Sequence, residues 1–248
     1  YFTSSIFISL PYYLSNYQIT FVDAIFESFS GLTTTGFTIF ENIKYLDPTL
    51  ILWRSSSQWI GGLYFIIFLI IIFSNNQYNY RLNHLVFTGN MGSFSKSNTK
   101  NILLQIFLVY SLLTLLIFVI LNLGDVRLFN SLNLSMTVIS NGGFLPTNSL
   151  NQIFLSDKYI LAIALLIPTI NIFFLFNLFN KKKIIYNHQE DLFLLIFILA
   201  LTLVMFYSFN NVAISEVFIN IISSISNSGI SFTSSTNGAI FFIFLCAL

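Results

Sequence analysis

Charge is what this sequence has least of. Of its 248 residues, 8% are Asp, Glu, Lys or Arg, whereas 56% are hydrophobic. A soluble globular domain carries roughly a quarter charged residues. So few charges cannot cover a chain of this size against water, so lipid must be the solvent for much of it. Ten Lys and Arg nearly cancel nine Asp and Glu, leaving a formal charge of +1. That balance excludes nucleic-acid binding, which needs a clustered basic face. Cysteine is almost absent. The single Cys246 excludes an intrachain disulfide framework, and with the isolated His84 and His188 it makes no metal-ligand spacing. No initiator Met and no signal-peptide pattern open the chain. Apolar runs at both ends give the expectation of a segment of a longer protein.

What the sequence does have is long apolar runs. About 20 residues are needed to cross roughly 30 Å of hydrocarbon. Leu50 to Phe73, Ile102 to Leu123, Tyr159 to Phe179 and Leu192 to Phe209 meet that length or come near it. Tyr1 to Leu14 reads as the tail of another span and Asn237 to Leu248 as the head of one. Pro168 is expected to kink its span, and Gly61-Gly62 to allow close helix packing. When the spans are threaded in order, Arg81, Lys96, Lys100 and Lys181-Lys182-Lys183 fall on one side. Lys44, Arg127 and Lys158, with Arg54 at a helix start, fall on the other. The Lys triplet marks its side as cytoplasmic.

Between the spans lie three segments of another kind. With Gly36, Gly143 and Gly229 in one column, Asp23 aligns without a gap with Asn130 and Glu216. Leu32 meets Ile139 and Ile225; Thr33 meets Ser140 and Ser226; Thr34 meets Asn141 and Asn227. Each segment begins with an acid or amide, continues through about ten mostly apolar residues and ends in small polar residues and Gly. Ten residues make a helix of about 15 Å, half a membrane. Such a segment is expected to enter the bilayer from the outer side and turn back.

The pattern has a physical logic. Asp23, Asn130 and Glu216 are expected as caps of short helices, where a side-chain acceptor or a carboxylate suits the helix N-terminus. Each helix then directs its partly negative C-terminus toward the midplane. The residues that follow must be non-helical yet buried, which is tolerated at membrane depth only where backbone lines a cavity or is held by protein. Gly permits the positive φ that turns successive carbonyls to one side. Carbonyls from several loops meeting on one axis would replace the hydration shell of a small cation.

Phe26 to Phe37, followed by Leu52-Trp53-Arg54 and Gln58-Trp59-Ile60-Gly61-Gly62, resembles the first pore unit of Trk/Ktr-type potassium transporters. Ser140-Asn141-Gly142-Gly143-Phe144 is similar to their second filter, and Ser223 to Gly229 to their third. The resemblance implies an all-α membrane protein of repeated helix–pore-loop–helix units, potassium-channel-like and pseudo-fourfold in the full-length parent, with the fourth repeat absent here. The units would be 1–80, 100–183 and 190–248. Three filter strands would be Thr33, Thr34, Thr35, Gly36 and Phe37; Ser140, Asn141, Gly142, Gly143 and Phe144; and Ser226, Asn227, Ser228, Gly229 and Ile230. Ile230 stands where the family's third filter often carries Pro. Potassium would be the substrate, bound by backbone carbonyls alone, with no cofactor. The implied partners are the lipid bilayer, a second copy in a homodimer and a cytoplasmic nucleotide-binding regulatory subunit. The implied place is a prokaryotic inner membrane.

Other residues carry plainer readings. Glu27 has no acidic counterpart in the other two segments and reads as a packing or mouth residue, not an ion ligand. Arg54 reads either as an interfacial anchor or as a donor to pore-loop carbonyls. Asn133-Leu134-Ser135 fits a glycosylation sequon but lies inside an expected helix and is discounted. None of the four full spans holds Asp, Glu, Lys or His between its ends, which opposes a membrane-embedded enzyme. A secondary transporter for another cation and a non-conducting structural subunit remain as alternatives, although the three segments run in one direction and not as inverted pairs.

Overall fold

The computed structural model describes residues 1–73, 99–154, 158–170, 189–208 and 214–230. The expectations for Arg81, Lys96, the Lys triplet, His84, His188 and the Asn237 to Leu248 run lie outside these. The described residues form helices and connecting turns, with no β-strand among them. In chain order the helices are α1 (Phe2–Tyr13), α2 (Phe21–Leu32), α3 (Pro48–Phe73), α4 (Thr99–Leu123), α5 (Leu128–Ile139), α6 (Lys158–Thr169), α7 (Gln189–Ser208) and α8 (Ile214–Ile225).

Length divides them. Helix α3 has 26 residues and α4 has 25, or about 39 and 37 Å at 1.5 Å per residue. Helices α2, α5 and α8 have 12 residues each, about 18 Å. The three expected half-membrane segments are therefore three short helices. Among the described residues, one stretch, Leu103–Leu123, is long and apolar enough to cross a membrane unaided. The span expected from Tyr159 is helical as α6, with Pro168 in its last described turn; its continuation to Phe179 lies outside the described residues.

The same contact recurs along the chain. Helix α3 packs on α5, and α6 packs on α8. Helix α2 packs between α1 and α3, and α5 between α4 and α6. One continuous apolar core joins α4, α5, α6 and α8 through Ile117, Leu121, Leu134, Val138, Leu161, Leu165 and Ile221, among others.

Polarity is inverted relative to a water-soluble protein. Helix α4 leaves Leu104, Leu108, Leu112, Leu115, Val119 and Leu123 exposed and turns Ile106, Tyr110, Leu113, Ile117 and Leu121 inward. Meanwhile Glu27, Ser28, Arg54, Gln58, Ser131, Asn133 and Thr137 are buried. Apolar faces outside and paired polar groups inside are what a hydrocarbon solvent demands.

Candidate functional site

The three short helices end in the same way. In each, the residue after the last helical one is a hydroxyl residue: Thr33, Ser140 or Ser226. The next residue is left-handed: Thr34 at φ +56°, Asn141 at +53° and Asn227 at +56°. Backbone bonds then close each end identically. Thr34 N–H donates to Gly31 O at 3.0 Å and Thr35 N–H to Ser30 O at 2.9 Å. Asn141 N–H reaches Val138 O at 3.1 Å and Gly142 N–H reaches Thr137 O at 2.9 Å. Asn227 N–H reaches Ser224 O at 3.2 Å and Ser228 N–H reaches Ser223 O at 3.0 Å. This paired closure is the Schellman motif, with residues other than Gly at its left-handed position. Asn tolerates that conformation; β-branched Thr34 is strained in it. A left-handed residue also precedes α2 and α5, namely Gln18 at +52° and Asp125 at +57°. These two lie at the spacing that separates Gly36 from Gly143, so entry and exit turns share one register.

The loops beyond the helix ends converge. A Cβ placed on Gly36, whose φ is +83°, would stand 2.5 Å from Gly143 Cα. One on Gly143 would stand 3.1 Å from Ser228 O and 3.3 Å from Gly36 Cα. The first and second loops thus touch at their glycines, and the third meets the second where Ser228 O approaches Gly143. Gly229 is left-handed, with φ +65°.

Helix α3 lies behind the first two loops, and Arg54, Ser57, Gln58, Gly61 and Gly62 repeat at helical spacing along one face. A Cβ on Gly61 would meet Leu32 O at 2.1 Å, and one on Gly62 would meet Ser140 Cβ at 2.9 Å. The close packing expected of this Gly pair is present, against two helix ends. Gln58 Oε1 accepts from Phe144 N–H at 3.3 Å, and its side chain fills the space that a Cβ on Gly142 would need. Ser30 Oγ donates to Phe37 O at 2.5 Å.

Two expectations are corrected. Asp23, Asn130 and Glu216 do not cap their helices; each lies in the first turn, at the third helical position. The cap of α2 is Thr20, whose Oγ1 accepts from Asp23 N–H at 3.2 Å and donates to Asp23 Oδ2 at 2.6 Å. Arg127 precedes α5 without a side-chain cap bond, and Glu216 is ion-paired with Lys158. The carboxylates still favour the positive helix end, as first-turn charges instead of caps. Arg54, in turn, is neither an anchor at the interface nor bonded to loop carbonyls. It is 1% exposed beside the fully buried Glu27. Its Nε donates to Glu27 Oε1 at 2.8 Å and its Nη2 to Thr38 Oγ1 at 2.9 Å. Thr38 Oγ1 donates to Glu27 Oε1 at 3.0 Å, and Ile39 N–H to Glu27 Oε2 at 2.9 Å. The guanidinium carbon lies 4.2 Å from the centroid of the Phe144 ring. Discounting the Asn133 sequon is supported: Asn133 is buried within α5.

Inverted polarity, long helices and buried ion-paired residues define a helical integral membrane protein. No protein-family model matches the chain. An uncharacterized cation transporter of Methanocaldococcus jannaschii is 31% identical over 144 residues, covering 56% of this chain and 29% of that protein. The Trk system potassium uptake protein TrkH of Escherichia coli is 26% identical over 240 residues, covering 89% of this chain and 49% of that protein. The crystal structure of the potassium transporter TrkH from Vibrio parahaemolyticus matches 98% of this chain and 54% of its own, with a TM-score of 0.78 at 22% identity. The chain is thus homologous to Trk-system potassium uptake proteins and shares their fold. It spans half or less of the length of these curated relatives.

Proposed function

We propose that this chain supplies three strands of a potassium filter, Thr33 to Phe37, Ser140 to Phe144 and Ser226 to Ile230, within a pore completed by a fourth unit. Units 1–80, 100–183 and 190–248 would each send a re-entrant helix and loop inward from the outer side. Backbone carbonyls would dehydrate the cation, with potassium as cargo and neither enzymatic chemistry nor a cofactor required. Association as a homodimer, gating by a cytoplasmic nucleotide-binding subunit and residence in a prokaryotic inner membrane complete the reading.

One observation carries it. Three short helices, far apart in sequence, end in the same two-bond closure, and their loops meet at Gly36, Gly143 and Ser228. Unrelated surface turns have no reason to share a register and a meeting point. Because each closure engages the carbonyls one and two residues before the last helical residue, the carbonyls of the loop that follows are the ones left to face a cation, except Phe37 O, which accepts from Ser30 Oγ. The partly negative helix ends would favour a cation and disfavour an anion.

The test is cation uptake by the full-length parent in cells unable to grow on low potassium. Gly36→Ser and Gly143→Ser are each expected to lower potassium-over-sodium discrimination by about tenfold or more, as rings of coordinating carbonyls are deformed. Unchanged selectivity in both variants, with protein present in the membrane, would overturn the filter assignment.

A further inference from the structure

Resting on that reading, we propose that Glu27, Arg54, Thr38 and Phe144 form a clamp that sets the spacing between the first and second loops, making Arg54 a positioning residue for ion selectivity. The clamp joins four parts of the chain. Glu27 lies on α2, which feeds the first loop. Thr38 and Ile39 lie just after that loop, so their bonds to the Glu27 carboxylate pin the departing strand back onto the arriving helix. Arg54 comes from α3 and binds both Glu27 and Thr38 through one planar group. The face of that group lies against Phe144, the last residue of the second loop. Phe144 is itself buried, and its N–H is held by Gln58 one turn further along α3.

The chemistry suits positioning and not ion binding. Both Glu27 oxygens are engaged by donors, and the guanidinium would repel a cation that approached it. A guanidinium presents a fixed fork on its edge and a flat face to an aromatic ring; an ammonium offers neither. Removing the fork therefore alters geometry while leaving the charge. Among the described residues, the ion-paired form of this device joins the first two loops. The column of Glu27 holds Leu134 and Asn220 in the other segments, and neither can form such a pair. A carbonyl cage selects by its size or by the number and field of its dipoles. Loop spacing controls both.

The experiment uses the full-length protein in proteoliposomes, with parallel potassium and sodium uptake and the amount of inserted protein recorded. Arg54→Lys and Phe144→Leu are each expected to lower the potassium-to-sodium ratio about fivefold, and the double variant no more than the worse single one, since coupled residues are non-additive. Thr38→Val, at the far end of the clamp, decides the matter alongside Phe144→Leu if Arg54→Lys fails to insert. Inserted variants whose ratios stay within about twofold of wild type, beside a Gly36→Ser variant that loses selectivity, would sink the clamp and leave the filter reading standing. Silence in Gly36→Ser as well would sink both.

Discussion

The first and third loops leave their helices by the same closure, yet they are held by different means. The first is enclosed by a buried ion pair, a serine bond to Phe37 O and a helix packed within contact of Leu32 O. The third, among the described residues, is braced from within its own turn. Ser228 Oγ lies 3.1 Å from Ser223 Oγ and 3.2 Å from Ser226 Oγ. The ion pair of its helix, Lys158 with Glu216, is partly exposed, at 26% and 16% of the side chains. Backbone closure is thus the common requirement of the three segments, and the surrounding support is particular to each.

That contrast is sharpest at the two ion pairs. Glu27→Leu strands a buried guanidinium and is expected to cost about 3–5 kcal/mol. It should appear as a large fall in melting temperature of the purified full-length protein, or as failure to insert. The glycines give a smaller separation. Gly61→Ala drives a methyl group into the Leu32 backbone and is expected to cost about 2–3 kcal/mol. Gly229→Ala meets no atom within 4 Å among the described residues and pays only for its left-handed backbone, about 1 kcal/mol. Equal melting temperatures for these two variants would erase the difference in enclosure. Smallest of all, Glu216→Gln should cost well under about 1 kcal/mol, since partly exposed pairs contribute little. A cost near that of Glu27→Leu would show the third segment to be clamped as firmly as the first.

Much of this was legible in the sequence. The gapless alignment on Gly36, Gly143 and Gly229 anticipates three short helices in one register, but the left-handed column falls two residues earlier, at Thr34, Asn141 and Asn227. Of the aligned glycines, Gly36 and Gly229 have positive φ while Gly143 does not. Gly61-Gly62 was legible as well: adjacent glycines in an apolar helix indicate close approach. The cap of α2 departs from the acid column because Thr20, three residues before Asp23, carries the capping pattern. The clamp is not legible in the sequence as a unit, because its members come together only on folding. Glu27 lacked a repeat partner, and Arg54 is the one charged residue within the Leu50 to Phe73 run. A buried charge on each of two packed apolar helices, Glu27 on α2 and Arg54 on α3, makes the two natural partners. That signal was present. Phe144 and Gln58 carried none, since stacking and a single backbone bond leave no mark in spacing.

The Gly61-Gly62 pair has a mechanical consequence. Two successive residues of α3 rest on two different segments, the first on Leu32 and the second on Ser140. With no side chain at either point to act as a cushion, a slide or rotation of α3 reaches both neighbours at once. A displacement of α3 would therefore press on the ends of α2 and α5 together, with no compliant side chain at these two points to absorb it.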